Sequence, residues 1–478
     1  MMKKALLVTI VILTLVLAAC APAAPATTEA PPAEETEAPP AEETEAPPAE
    51  ETEAPPEEGP AVTELNILWA QWDPANYLQQ VANRYEEETG IKVTVVQEPW
   101  GSFYDRFSTE MAAQGDAWDM VVGDSQWLGQ GATSGWYVNM TDFLTSTGIK
   151  DTVTEATLTY YGEYPTGSGE YWAYPTEGDA DGWAYRKDLF EDPEEQAAFK
   201  EAYGYDLAVP ENYDQLKDIA EFFTRPDEGL YGVAIYTQKD YDAITMGVEN
   251  TMFSWGGDWK DPATNEVMGV VNSQENIDSL QFYRELYECC QWPGGSNAFF
   301  TETNDALISG QAVMAMNYFA FFPALVNQGT NPNFFDKVGF FPNPAGPTGA
   351  QHAALGGQGM SIVAYISPER QQAAMDFIEW FAQEDVQAFW AELGGYTCNT
   401  NVLASDAFLN ATPFNPAFAT TMGFVKDFWN IPVYGQLLEV TQREFSAFVV
   451  GGEGTAEEVM NTIAEEHDAI LRESGFLK

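Results

Sequence analysis

The stretch LNILWAQWDPANYLQQVANRYEEETGIKVTVVQ, Leu65 to Gln97, decides the fold. LNILWA is a short apolar run that reads as a strand. Tyr77 to Thr89 carries apolar residues at helical spacing and is stopped by Gly90, and IKVTVVQ alternates as a second strand. A strand, a helix and a strand in succession form a parallel α/β unit. Outward from it, Tyr104 to Ala113 predicts another helix leading into the strand WDMVVGD, whose carboxyl end delivers Asp124, Ser125, Gln126 and Trp127 into a loop. Open α/β sheets place ligands at such strand ends.

The α/β pattern continues downstream. Strands are predicted at YGVAIY (231–236), AVMAMNY (312–318) and MSIVAYI (360–366), with helices over Glu275 to Cys289, Ala373 to Glu384 and Ala456 to Arg472. At 478 residues, with 45% hydrophobic and 14% aromatic content, the chain exceeds one ordinary domain and can bury two cores. Twenty basic residues against 74 acidic ones give a formal charge of −54. That charge repels phosphate backbones, so nucleic acid is not an expected partner.

The first twenty residues read as an export signal. Lys3 and Lys4 precede the uncharged apolar run Ala5 to Ala19, which is short for a membrane span, and Cys20 follows two small residues. This resembles the cleavage and acylation site of bacterial lipoproteins, which implies lipidation at Cys20, membrane attachment through that lipid and an extracytoplasmic location. From Glu29 the unit EAPPAEET repeats three times and decays into EAPPEEGP, ending at Pro60. Such a Pro-rich acidic segment cannot bury apolar surface, and extended at about 3.1 Å per residue it reaches on the order of 100 Å as a tether. Cys289, Cys290 and Cys398 remain. One of the adjacent pair bridging Cys398 and three free buried thiols are both open readings. His352 and His467 are too far apart and too poorly accompanied to suggest zinc, and no metal or cofactor is expected.

Several blocks, in order, resemble the bacterial extracellular solute-binding proteins of the maltose-binding type: YEEETGIKVTVV, AWDMVVGDSQWL, YWAYPTEGDADGWAYRKDLFE with Tyr185 to Phe190 at its core, VPENYDQLKDIAEFFT, FSWGGDW, ISGQAVMAMNYFAFFPAL, VGFFPNPAG and GGQGMSIVAYISPERQQAAMDFIEWFAQEDVQAFW. The resemblance covers essentially residues 63–478. It departs from the family pattern at Tyr396 to Asn399, where many members are proline-rich. It implies a two-lobed, type II periplasmic-binding-protein-like α/β fold, with a ligand trapped in the cleft and a closed form docking on an ABC permease. The expected layout is a signal at 1–20, a tether at 21–60, an N-terminal lobe of 61–175 plus 338–367, and a C-terminal lobe of 176–337 plus 368–478. The crossings are expected near Pro175, Val338 to Pro342 and Ser367. The protein is expected to act as a monomer.

Sugars present hydroxyls around C–H faces, so their sites need aromatic planes and planar polar groups. Predicted loops supply Trp69, Gln71, Trp72 and Asp73 after the first strand, Asp124, Gln126 and Trp127 after the third, and Glu177, Asp179 and Asp181 at the first crossing. Trp255 to Asp258, Asn317 with Tyr318, Gly356 to Gly359 including Gly357 and Gln358, and Tyr396 complete the candidate set. A tryptophan after a strand can equally be core, and an acidic loop can simply be solvated. Two other classes compete with a sugar importer subunit. A secreted glycoside hydrolase would also pair carboxylates with aromatics, but the chain has no nucleophile elbow or metal motif and is read as a non-enzyme. A binding protein for a cationic solute such as a polyamine would use the acids near the first crossing, and its affinity would fall steeply with salt.

Overall fold

A computed structural model describes residues 62–239, 242–427 and 429–478. The signal, Cys20 and the tether lie outside the described residues. Among the described residues eleven strands follow in chain order: β1 (Glu64–Ala70), β2 (Lys92–Glu98), β3 (Met120–Asp124), β4 (Tyr174–Glu177), β5 (Asp181–Arg186), β6 (Tyr231–Ala234), β7 (Ala312–Tyr318), β8 (Val338–Pro342), β9 (Ala353–Ala354), β10 (Gln358–Ile362) and β11 (Val425–Lys426). They form a five-stranded sheet in the order β2-β1-β3-β10-β4, a four-stranded sheet β6-β7-β5-β8, and a small pair β11-β9.

The deciding stretch folds as its pattern dictates. Helix Asp73–Thr89 has Pro74 in its first turn, where the missing N–H costs nothing, and ends at Gly90, whose φ of 80° suits a residue without Cβ. Ala75, Leu78, Ala82 and Tyr85 form its buried stripe. This stripe lies over β1 and β2, which pair in parallel from Glu64↔Lys92 to Ala70↔Glu98. β10 then runs antiparallel to both β3 and β4.

The chain passes from the first large sheet to the second at residues 178–180, between β4 and β5, and back at 355–357 before β10, and beyond Leu393 it turns toward the cluster that holds Tyr396, Leu403 and Phe418. The crossings are tied together. Gly178 N–H donates to Tyr396 O at 2.7 Å, and Ala180 bridges Leu355. The first crossing lies a few residues beyond Pro175, whereas the return lies later in the chain than Val338 to Pro342 and the turn beyond Leu393 later than Ser367. Val338–Pro342 pairs antiparallel with β5 from Arg186↔Val338 to Gly182↔Pro342, so it belongs to the second sheet. Helices Pro368–Phe381 and Glu384–Leu393 pack Phe377, Ile378, Phe381 and Trp390 into the core beneath the first sheet. Segment 338–342 therefore pairs within the second sheet and residues 368–393 pack with the core of the first, unlike the expected grouping. The periodicity was legible, but the face each segment covers depends on partners distant in sequence. Cys289 and Cys290 are joined to each other and Cys398 is free and buried, so neither reading of the cysteines holds.

Candidate ligand-binding site

The carboxyl ends of strands from both sheets converge on a chamber of about 240 Å³. From the first sheet, β1 leads into Trp72, and Gln358 opens β10 opposite Asp124 and Glu177. From the second, β7 ends at Tyr318, and the loop after β6 brings Gln238 and Asp242. Asp179 and Gly356 come from the crossings between them. A second space of about 750 Å³ lies beyond Phe300 and Phe321, which it shares with the chamber, and its wall also carries Tyr77, Tyr396, Asp73 and Glu392. The smaller chamber is the better candidate site because strand ends of both large sheets, Gln358 of β10 and Tyr318 of β7, meet there beside Trp72, whose buried indole N–H has no acceptor.

Its aromatic walls are braced from behind. Trp72 stands edge-on to Trp69 and Trp100, with ring centroids 5.5 and 5.4 Å away. Its indole N–H is buried without an acceptor, a donor that a ligand hydroxyl would satisfy. Opposite, Phe300 stacks on Phe321 at 4.2 Å and contacts Phe299 at 4.8 Å. Thr237 and Gln238 N–H groups donate to Ala298 O, which holds the loop after β6 against this aromatic segment. Gln358 Oε1 accepts from Trp69 Nε1 at 2.7 Å, so its amide presents donors.

Asp179 Oδ1 accepts from the N–H groups of Ala180 at 2.9 Å and Ala320 at 3.2 Å, yet burial pushes its carboxyl up from 3.8 to about 8. Burial, with the Asp124 charge next in importance, also drives Asp242 well above the usual carboxylate range. Between about 4 and 8 the folded protein holds a proton on Asp179 that the unfolded chain has released, so stability declines as pH rises through that window. The melting temperature of unliganded protein is expected to fall by several degrees from pH 5 to pH 8, and Asp179→Asn to flatten that slope. Equal slopes for the two proteins would refute the assignment.

Of the residues singled out from sequence, Trp72, Asp179, Tyr318, Gly356 and Gln358 line the chamber. Asp124 is next to Gln358 in the sheet, and Gln126 is buried in the turn that follows. Trp127 is committed to the first core, against Phe103 at 4.9 Å and Tyr104 at 5.0 Å. Trp255 packs on Tyr213 and Phe282 in the second core. Asp258 pairs with Lys426 at 2.8 Å. Glu177 accepts from Tyr396 N–H and Asp181 from Asn250, both in the interior behind the chamber. Asn317 donates to Phe300 O at 2.8 Å and so fixes a wall residue from outside. Tyr396 donates to Phe319 O and faces the larger space. Gly357 is steric: a Cβ there would sit 2.1 Å from Glu177 O.

Sequence reasoning missed Trp100, Gln238, Asp242, Phe299, Phe300 and Phe321. The strand-end rule that pointed to Asp124 would have found Gln238 and Asp242 after YGVAIY. Nothing local marks the three phenylalanines.

The chain is similar to several known proteins. The erythritol/L-threitol-binding protein of Mycolicibacterium smegmatis is 22% identical over 306 residues, 60% of each chain. YcjN of Escherichia coli is 25% identical over 190 residues, 38% of this chain. The matched stretches thus span only 60% and 40% of these two curated relatives. Among solved structures, maltose-bound MalE3 of T. maritima superposes with a TM-score of 0.72 at 24% identity, over 85% of this chain and 100% of that one. A solute-binding protein of Agrobacterium radiobacter K84 in complex with ribitol gives 0.70 at 22%, over 85% and 98%. These likenesses establish the two-lobed type II binding-protein fold. The family described as bacterial extracellular solute-binding protein matches residues 70–388, 319 of the 478, and the chain belongs to that family.

Proposed function

We propose that the protein is the solute-capturing subunit of an ABC importer, that it takes a single sugar or sugar alcohol into the chamber, and that it delivers it to a membrane permease. One observation carries the reading: aromatic faces from both sides of the cleft converge on a chamber whose polar groups are carboxylates and amides. Such groups match C–H faces and hydroxyls. A volume of about 240 Å³, below the roughly 300–1,000 Å³ of drug-sized pockets, suits one ring or a short alditol. A relative named for erythritol and L-threitol, and structures holding ribitol, D-mannitol and alpha-D-tagatose, fall in that size class, while other structures of the same fold hold maltose or maltotetraose. Because both sheets contribute walls, ligand contacts favour a closed arrangement over an open one. Lipidation at Cys20 would keep the capture step outside the cytoplasm, at the membrane. The role is binding and not catalysis.

The test is a thermal-shift and calorimetric screen of purified protein against tetritols, pentitols, hexitols, hexoses and maltose. Stabilisation by a single-unit polyol in preference to maltose is expected. A response to maltose alone would overturn the size reading, and turnover of labelled oligosaccharides would overturn the binding role.

A further inference from the structure

The chamber is acidic without a counter-charge. Asp179 and Asp242 line it, and no lysine, arginine or histidine does so among the described residues. Asp242 is 5% exposed and its Oδ1 has no hydrogen-bond partner. It stands at the N-cap of helix Ala243–Ser254, where an aspartate ordinarily accepts from the first-turn N–H groups, yet its side chain makes no such bond. Further acids lie close behind: the charges of Asp124, Asp181 and Asp427 all bear on Asp242.

A buried carboxylate persists only when neutralised by a proton or by a partner of opposite charge. No group of three His, Cys, Asp or Glu side chains among the described residues is arranged to hold a metal ion. The nearby Lys426 is engaged by Asp258. A neutral polyol could accept hydrogen bonds from the protonated acids, but it would not take the place of their protons and pair with the carboxylates. A ligand ammonium would do so, and the rings of Trp72, Trp100, Tyr318 and Phe300 add faces that attract a desolvated cation.

We propose that the solute is a sugar or alditol carrying a basic nitrogen, with its ammonium held between Asp179 and Asp242 and its hydroxyls by Gln238 and Gln358. This rests on the polyol-binding reading above and narrows its substrate class.

The experiment is isothermal calorimetry on the full chain with matched pairs: 1-amino-1-deoxy-D-glucitol against D-glucitol, D-glucosamine against D-glucose, and D-galactosamine against D-galactose, with spermidine as a cation lacking hydroxyls. In at least one pair the amine is expected to bind about 10- to 100-fold more tightly than its neutral partner, the range of a charge-assisted hydrogen bond. Asp242→Asn, a near-isosteric change, is expected to shrink that preference to below about threefold. An amine no better than its neutral partner in every pair overturns the proposal and leaves the polyol reading intact wherever the neutral partner binds. Spermidine binding with silence from every polyol, or silence from the whole panel, overturns the amine-polyol proposal, and the spermidine result overturns the polyol reading with it.

Discussion

Replacing Trp72 by alanine is expected to weaken solute binding by about 30-fold or more, some 2 kcal/mol, with the fold retained. Trp72 is only half-buried, caps the chamber where β1 ends, and keeps its indole N–H without an acceptor. Losing it removes a stacking face and a hydrogen bond made only to ligand. Trp127→Ala is the contrasting variant. That ring is 7% exposed and surrounded by Phe103, Tyr104 and Phe107, so its removal leaves a core cavity costing about 3–5 kcal/mol. Denaturant titration and calorimetry separate the two. Trp72→Ala should keep its midpoint and lose affinity, whereas Trp127→Ala should lose its midpoint and keep affinity per folded molecule. The reverse pattern would place the ligand on the other side of helix Trp100–Ala112.

These two tryptophans show why the site was only partly legible in the sequence. Both follow strands of the first sheet closely, and strand-end position is what the chain displays. Which way each ring turns is decided by partners far off in sequence: Gln358, which anchors the neighbouring Trp69, in one case, and Phe103 and Phe107 in the other. The three acids at 177, 179 and 181 look alike as text. Only Asp179 lines the chamber, because residues 178–180 leave one sheet for the other and break the alternation that would put all three on one face. The fold was more legible because helix period and strand alternation are local. Lobe membership was not, since VGFFP at 338–342 reads equally well as a crossing or as the edge strand it is.

The second large effect lies at the opposite end of β3 from the chamber. Asp119 immediately precedes the strand and its side chain is 1% exposed. Both its oxygens are held by Arg370, at 2.6 Å from Nε and 2.6 Å from Nη2, and Asn66 N–H donates to Oδ2 at 2.7 Å. Arg370 sits in the first turn of helix Pro368–Phe381, where Ser367 Oγ caps its N–H, so the pair fastens that helix to the sheet. Arg370→Met would leave a buried carboxylate with one backbone donor, and a loss of about 3–5 kcal/mol in unfolding free energy is expected. Asp119→Asn added to Arg370→Met should recover part of it, because the stranded charge is removed along with its partner. A loss below about 1 kcal/mol would mean that the pair behaves as an exposed one, through the 32% exposure of the arginine. Affinity of the folded fraction should not change in either variant. β3 runs from Met120 to Asp124, so one end secures the scaffold while the other approaches the chamber through Gln358, and substitutions at Asp119 and at the chamber should combine additively.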